Sequence, residues 1–105
     1  VLRGRNVKDI IVVEDSALER ERLERVFSTA GYRVVLCERA ADAERELKEE
    51  QFRLALLDIG LSDRSGSYLF AAMRRSGRVG QIVIFTGNPS GHLKQRFMDE
   101  GAADY

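Results

Sequence analysis

Short apolar runs alternate with stretches of helical period along the chain, and the runs stop on polar residues. Asp9 to Val13 reads DIIVV, the composition of a strand buried on both faces, and halts at Glu14 and Asp15. Ser16 is followed three residues later by Glu19, a capping-box spacing, and Leu23, Val26, Phe27 and Ala30 then recur as one face of a helix ended by Gly31. Tyr32 to Cys37 predicts a second strand. Ala40 to Glu50 predicts a helix with Ala43 and Leu47 inward, and Leu54 to Leu57 a third buried strand that again ends on an acid, Asp58. A loop through Gly60, Ser62 and Gly66 leads to a helix near Ser67 to Arg75, with Leu69, Phe70 and Met73 on its apolar side. Gln81 to Phe85 predicts the fourth strand, closing on Thr86 and Gly87. Asn88 before Pro89 suits an N-cap and first helical position, with Leu93 and Phe97 inward and Gly101 closing the element. Residues 1–7 show no period and read as a linker or frayed terminus, so order is expected from about Lys8 onward.

Strands that alternate with helices and lack a polar face imply an α/β fold: a doubly wound parallel sheet covered by helices on both sides, with right-handed crossovers. In such sheets ligands bind outside the carboxyl ends of the strands, where strand order reverses. Glu14, Asp15, Asp58 and Thr86 all follow strands, so parallel pairing gathers them at that one edge.

Composition narrows the alternatives. The chain has 105 residues and 44% hydrophobic content, which suits one core and one domain. Lys plus Arg and Asp plus Glu number 17 each, so no whole-molecule field favours nucleic acid, a membrane surface or an acidic partner. The single cysteine, Cys37, lies in an apolar run and reads as a small buried hydrophobe. The single histidine, His92, sits in a polar segment and reads as a solvated surface residue. No apolar stretch approaches the ~20 residues that cross a bilayer, and the N-terminus lacks the apolar centre of a secretion signal, so a cytoplasmic setting is expected.

Carboxylates gathered in one crevice repel one another, and burial raises their pKa values unless a cation intervenes. Glu14, Asp15 and Asp58 therefore point to a metal. Oxygen ligands suit hard Mg²⁺, for which Mn²⁺ substitutes, and the lack of a Cys/His cluster argues against zinc. A carboxylate beside such an ion can act as a nucleophile and form an acyl phosphate, and Asp58 is the acid best placed to do so. Thr86 offers a short hydroxyl to a phosphoryl oxygen, and Gly87 leaves the backbone approachable. Taken singly, Glu14 and Asp15 are equally well explained as acids favouring a helix N-terminus, and Asp58 as a turn or N-cap residue.

Val12 to Ser16 (VVEDS), the segment from Leu56 to Gly66, Phe85 to Gly87 (FTG) and Gly101 to Tyr105 (GAADY) occur in that order and at matching spacings. Together they resemble the receiver domain of two-component response regulators, over residues 8–105. The resemblance implies the flavodoxin-like sheet of order 2-1-3-4-5. It implies Mg²⁺ held directly by Asp15, Asp58 and the carbonyl of Gly60, with Glu14 direct or through water. It also implies Asp58 as phosphoryl acceptor and a switch formed by Thr86 and the ring of Tyr105. The partner it implies is a histidine kinase or histidine phosphotransfer protein, with an output domain or target of unknown kind and a homodimer as one assembly. Direct nucleic-acid binding by this domain, membrane insertion and turnover of a separate substrate are not expected. Ser62 stands where the family usually has proline, which loosens the loop. The family's fifth-strand lysine would fall three residues past Tyr105, so the expectation is a C-terminally truncated receiver with an incomplete fifth strand and last helix.

Two other functions use the same residues. A pseudo-receiver would keep the fold for protein interaction alone, which a missing lysine favours and the intact acidic set disfavours. A haloacid-dehalogenase-type phosphohydrolase would need an Asp two residues after the nucleophile, where this chain has Gly60.

Overall fold

Strand β1 (Val7–Val13) runs into helix α1 (Ala17–Thr29), and the chain continues through β2 (Val34–Cys37), α2 (Ala40–Glu49), β3 (Gln51–Asp58), α3 (Gly66–Ser76) and β4 (Val79–Phe85). The structure is a computed structural model, described here for residues 7–59, 66–85, 98–99 and 101–103. The four strands form one sheet in the order β2-β1-β3-β4, every neighbour parallel. Strand order reverses between β1 and β3, because the chain first steps outward to β2 and then crosses β1 to place β3 on its other side. The expected parallel α/β sheet and the order of its first four strands are thus present. Beyond β4, Ala102 is buried and the Ala103 N–H donates to the Ile82 carbonyl at 2.7 Å, so the chain arrives alongside β4 where a fifth strand belongs. Tyr105 and His92 lie outside the described residues, as does the helix expected after Pro89 except at 98–99, which are helical and are followed by Gly101, its expected terminator, at φ 107°.

β1 is buried from Ile10 to Val13. One core contains Ile11, Val13, Ala55, Leu57, Ile82 and Ile84 from the sheet together with Ala43, Leu47, Leu69, Phe70 and Met73 from α2 and α3. The inward positions expected for α2 and α3 are therefore the observed ones. Cys37 is a free, buried member of the same core. Burial, reinforced by the charges of Glu46 and Asp42, pushes its thiol up to about 12, as suits a packing residue.

α1 corrects its expected face. Val26 was expected inward but is 62% exposed, Ala30 is exposed too, and no residue of the helix is fully buried. Leu23 and Phe27 alone of the four are half-buried. They are four residues apart, and this single stripe packs α1 over β1 and β2. Gly31, expected to end the helix, does so at φ 95°, where a Cβ is strained. Element boundaries shift by small amounts. β1 begins at Val7, which pairs with Gln51, so the ordered sheet takes in the last residue of the expected linker. β2 begins at Val34 rather than Tyr32, whose ring instead packs edge-on against Phe27.

The N-terminal edge of the sheet is pinned by Asp9. Its carboxylate accepts the Arg33 N–H at 2.8 Å and faces the guanidinium groups of Arg33 and Arg53. The backbone N–H first, then the two cations, hold its carboxyl below the usual range.

At the opposite edge, the loop after β3 is closed by the Gly66 N–H, which donates to the Ile59 carbonyl at 3.0 Å. A Cβ on Gly66 would stand 2.3 Å from the Ile59 Cα and 2.8 Å from the Asp58 carbonyl oxygen, so only glycine lets α3 begin this close to the strand end. Gly66→Ala is expected to cost about 1–3 kcal/mol of stability through that overlap with backbone. Urea unfolding monitored by circular dichroism checks this, and an unchanged midpoint would refute it.

Candidate functional site

Parallel register decides which side chains share the carboxyl edge. Val13 pairs with Leu57, and Asp58 with Phe85, so the residues just past β1 meet the end of β3. The turn from β1 into α1 is held at three points. The Glu14 N–H donates to the Cys37 carbonyl of β2 at 3.0 Å. The Ser16 N–H donates to Glu14 Oε1 at 2.9 Å, and Arg20 Nη1 donates to the Glu14 carbonyl at 2.8 Å. Ser16 caps α1 as its spacing predicted, its Oγ accepting the Glu19 N–H at 3.3 Å. The Ser16 N–H that a capping box would direct to Glu19 serves Glu14 instead, which turns a helix-start signal into support for the acidic pair.

Glu14 is buried, Asp15 and Asp58 are half-buried, and each offers a carboxylate oxygen lying within 4.8 Å of those of the other two. Burial pushes the Glu14 carboxyl up to about 7. The charge of Asp58 and side-chain hydrogen bonds with Asp15 and Asp58 add to the rise, while the Ser16 N–H opposes it. Without a cation, this cluster accommodates its charge by retaining a proton near neutrality. The donor set fits a small hard divalent ion: three carboxylates, one of them poorly solvated, and among the described residues no imidazole or accessible thiolate beside them.

Of the residues expected at the site, the fold unites Glu14, Asp15 and Asp58. Gly60, Thr86, Gly87 and Tyr105 lie outside the described residues, although Thr86 directly follows Phe85, the register partner of Asp58. Sequence patterning overlooked Arg20 and the role of Gly66. Arg20 sits amid other charged residues on α1, where nothing marks one arginine as reaching back past the helix cap. Gly66 carries a weak signal as the only glycine at the start of α3.

A profile of the response regulator receiver domain matches residues 10–105. The chain belongs to the response regulator receiver family. The virulence transcriptional regulatory protein PhoP of Shigella flexneri is 33% identical over 96 residues, covering 91% of this chain and 43% of that protein. The TorCAD operon transcriptional regulatory protein TorR of Escherichia coli is 32% identical, with 91% of this chain and 41% of that protein covered. The receiver thus spans about two fifths of the curated relatives it matches. Among solved structures, a CheY-like receiver domain protein from Methanospirillum hungatei superposes with a TM-score of 0.83 at 27% identity, over 94% of this chain and 79% of that one. A Thermotoga maritima response regulator, TrrA, in complex with Mg²⁺-BeF superposes at 0.80 and 24% identity, over 93% and 84% of the two chains. The receiver has no helix, among its described residues, long and apolar enough to cross a membrane.

The Glu14 titration gives a signed expectation. Its carboxyl is raised from the usual 4.5 to about 7, so the folded receiver holds this proton more tightly than the unfolded chain. Its contribution to stability therefore falls as pH rises through that window and is flat above it. Glu14→Gln removes the penalty and is expected to stabilise the metal-free protein above pH ~7 by on the order of 1–3 kcal/mol. At pH ~4 the difference should be small. Paired urea titrations check this, and a destabilised variant at high pH would contradict it.

Proposed function

We propose that this receiver is a phosphorelay switch that accepts a phosphoryl group on Asp58 from the phosphohistidine of a partner histidine kinase or phosphotransfer protein. The observation that carries the reading is the meeting of the Glu14, Asp15 and Asp58 carboxylates within 4.8 Å at the switch point of a parallel sheet. The Asp58 carboxylate attacks phosphorus, the phosphorus–nitrogen bond breaks, and the imidazole departs with its electron pair and picks up a proton. Asp15, Asp58, Glu14 and the carbonyl of Gly60 would hold Mg²⁺, or Mn²⁺ in its place. That ion supplies positive charge to the oxygens of the transferring group.

Each residue has a separable task in this reading. Asp58 supplies the nucleophile at the end of a strand paired on both sides, a rigid platform for in-line attack. Asp15 and Glu14 set the local charge. Thr86 donates its hydroxyl to a phosphoryl oxygen once Asp58 is modified, and Tyr105 follows its movement, which couples the site to an output surface. The domain transfers the group to itself and loses it slowly by hydrolysis, so it acts as a signal carrier rather than as an enzyme on a separate substrate.

The decisive test is incubation of the full-length protein with Mg²⁺ and acetyl phosphate, followed by intact mass. One added phosphoryl group that Asp58→Asn abolishes is the expected result. No addition would leave a receiver fold used for binding alone, and addition that survives Asp58→Asn would overturn the assignment of the acceptor. Gly60, two residues past the acceptor, carries no side chain to shield a phosphoryl group from water, so Gly60→Arg is expected to slow its loss severalfold. Decay followed by phosphate release checks this, and equal or faster loss from the arginine variant would contradict it.

A further inference from the structure

The β1–α1 turn contains a contact that neither the metal ligands nor the acceptor accounts for. Arg20 lies on the first turns of α1 and is half-buried. Its backbone N–H donates to the Ser16 carbonyl at 3.0 Å, as an ordinary helical bond. Its side chain reaches further back, and Nη1 donates to the Glu14 carbonyl at 2.8 Å, across six residues. That carbonyl shares a planar peptide unit with the N–H of Asp15, so fixing its direction fixes the plane from which the Asp15 side chain departs. The other ends of the same turn are already tied: the Glu14 N–H to Cys37 and the Glu14 carboxylate to the Ser16 N–H. Arg20 supplies the remaining constraint, and a charge-assisted bond from a guanidinium is stronger than a neutral one.

We propose that Arg20 is a positioning residue for the acidic site, clamping the Glu14–Asp15 peptide so that both carboxylates face Asp58. The inference rests on the reading of this cluster as a Mg²⁺ site. Residues that orient metal ligands without touching the metal commonly account for a large share of affinity. The sign of the effect separates positioning from electrostatics. A guanidinium beside a cation site repels the cation, so charge alone predicts that removing it tightens Mg²⁺ binding. Positioning predicts the reverse.

The test is Mg²⁺ titration of the full-length protein and of its Arg20→Ala and Arg20→Lys variants, followed by amide nuclear magnetic resonance shifts of Asp15 and Asp58. Thermal unfolding of the metal-free proteins is measured in parallel. Arg20→Ala is expected to weaken Mg²⁺ binding roughly ten- to hundred-fold. It should also shift the Asp15 amide before metal is added, while the unfolding temperature stays within a few degrees. Arg20→Lys, which keeps a donor and a charge, should recover most of the affinity. Equal or tighter binding by Arg20→Ala would overturn the proposal, as would weakening accompanied by a large fall in the unfolding temperature of the metal-free variant. A wild-type protein that binds no Mg²⁺ would instead overturn the metal reading, and this inference with it.

Discussion

Three carboxylates held against one another at the end of a parallel sheet are the constraint on which this receiver turns. Glu14, Asp15 and Asp58 come from segments far apart in sequence, and only the pairing of β1 with β3 brings their oxygens within 4.8 Å. Such a cluster is unfavourable by itself. Burial and the neighbouring charge of Asp58 lift the Glu14 carboxyl to about 7, so the folded chain keeps a proton or takes up a cation. The rest of the fold can be understood as the framework that prevents these groups from moving apart.

That framework is anchored in the core on one side and in backbone hydrogen bonds on the other. Behind the acids, Val13 and Leu57 are fully buried, so neither strand end can slide outward without opening the core. In front, the turn after β1 is tied by Cys37, Ser16 and Arg20, and the loop after β3 is closed by Gly66 on Ile59. The Gly66 contact joins α3 to the peptide that follows Asp58, and a Cβ there would strike backbone rather than a movable side chain. A change at Asp58 is therefore placed to be felt by α3 and by the strand carrying Phe85, since both touch the acceptor segment directly.

Most of this arrangement was legible in the chain because it rests on strong local patterns. The DIIVV and LALL runs have the composition of strands in a covered parallel sheet and each ends on an acid, so parallel pairing predicted the cluster, although Leu54 and Leu56 are only half-buried. Less legible was whatever depends on partial coverage. Val26 fits the helical period as well as Leu23 does, yet α1 packs with a narrow stripe and leaves Val26 outside. Periodicity reports a face without reporting how wide a surface receives it. Arg20 escaped notice for a different reason: a six-residue return from a guanidinium to a carbonyl has no composition signal, and the α1 surface offers several other charged side chains. The Ser16–Glu19 spacing was read correctly as a cap, but the diversion of the Ser16 N–H to Glu14 depends on where the β1 strand delivers that acid.

A cation bound among these carboxylates would relieve their repulsion, and the Glu14 carboxyl is the group that reports it. Carbon-13 nuclear magnetic resonance of the Glu14 side chain, titrated with pH in the absence and presence of saturating Mg²⁺, measures this directly. A midpoint of about 7 is expected without metal. With Mg²⁺ the midpoint should fall by roughly one pH unit or more, as an adjacent positive charge stabilises the ionised form. An identical midpoint in both conditions would contradict it.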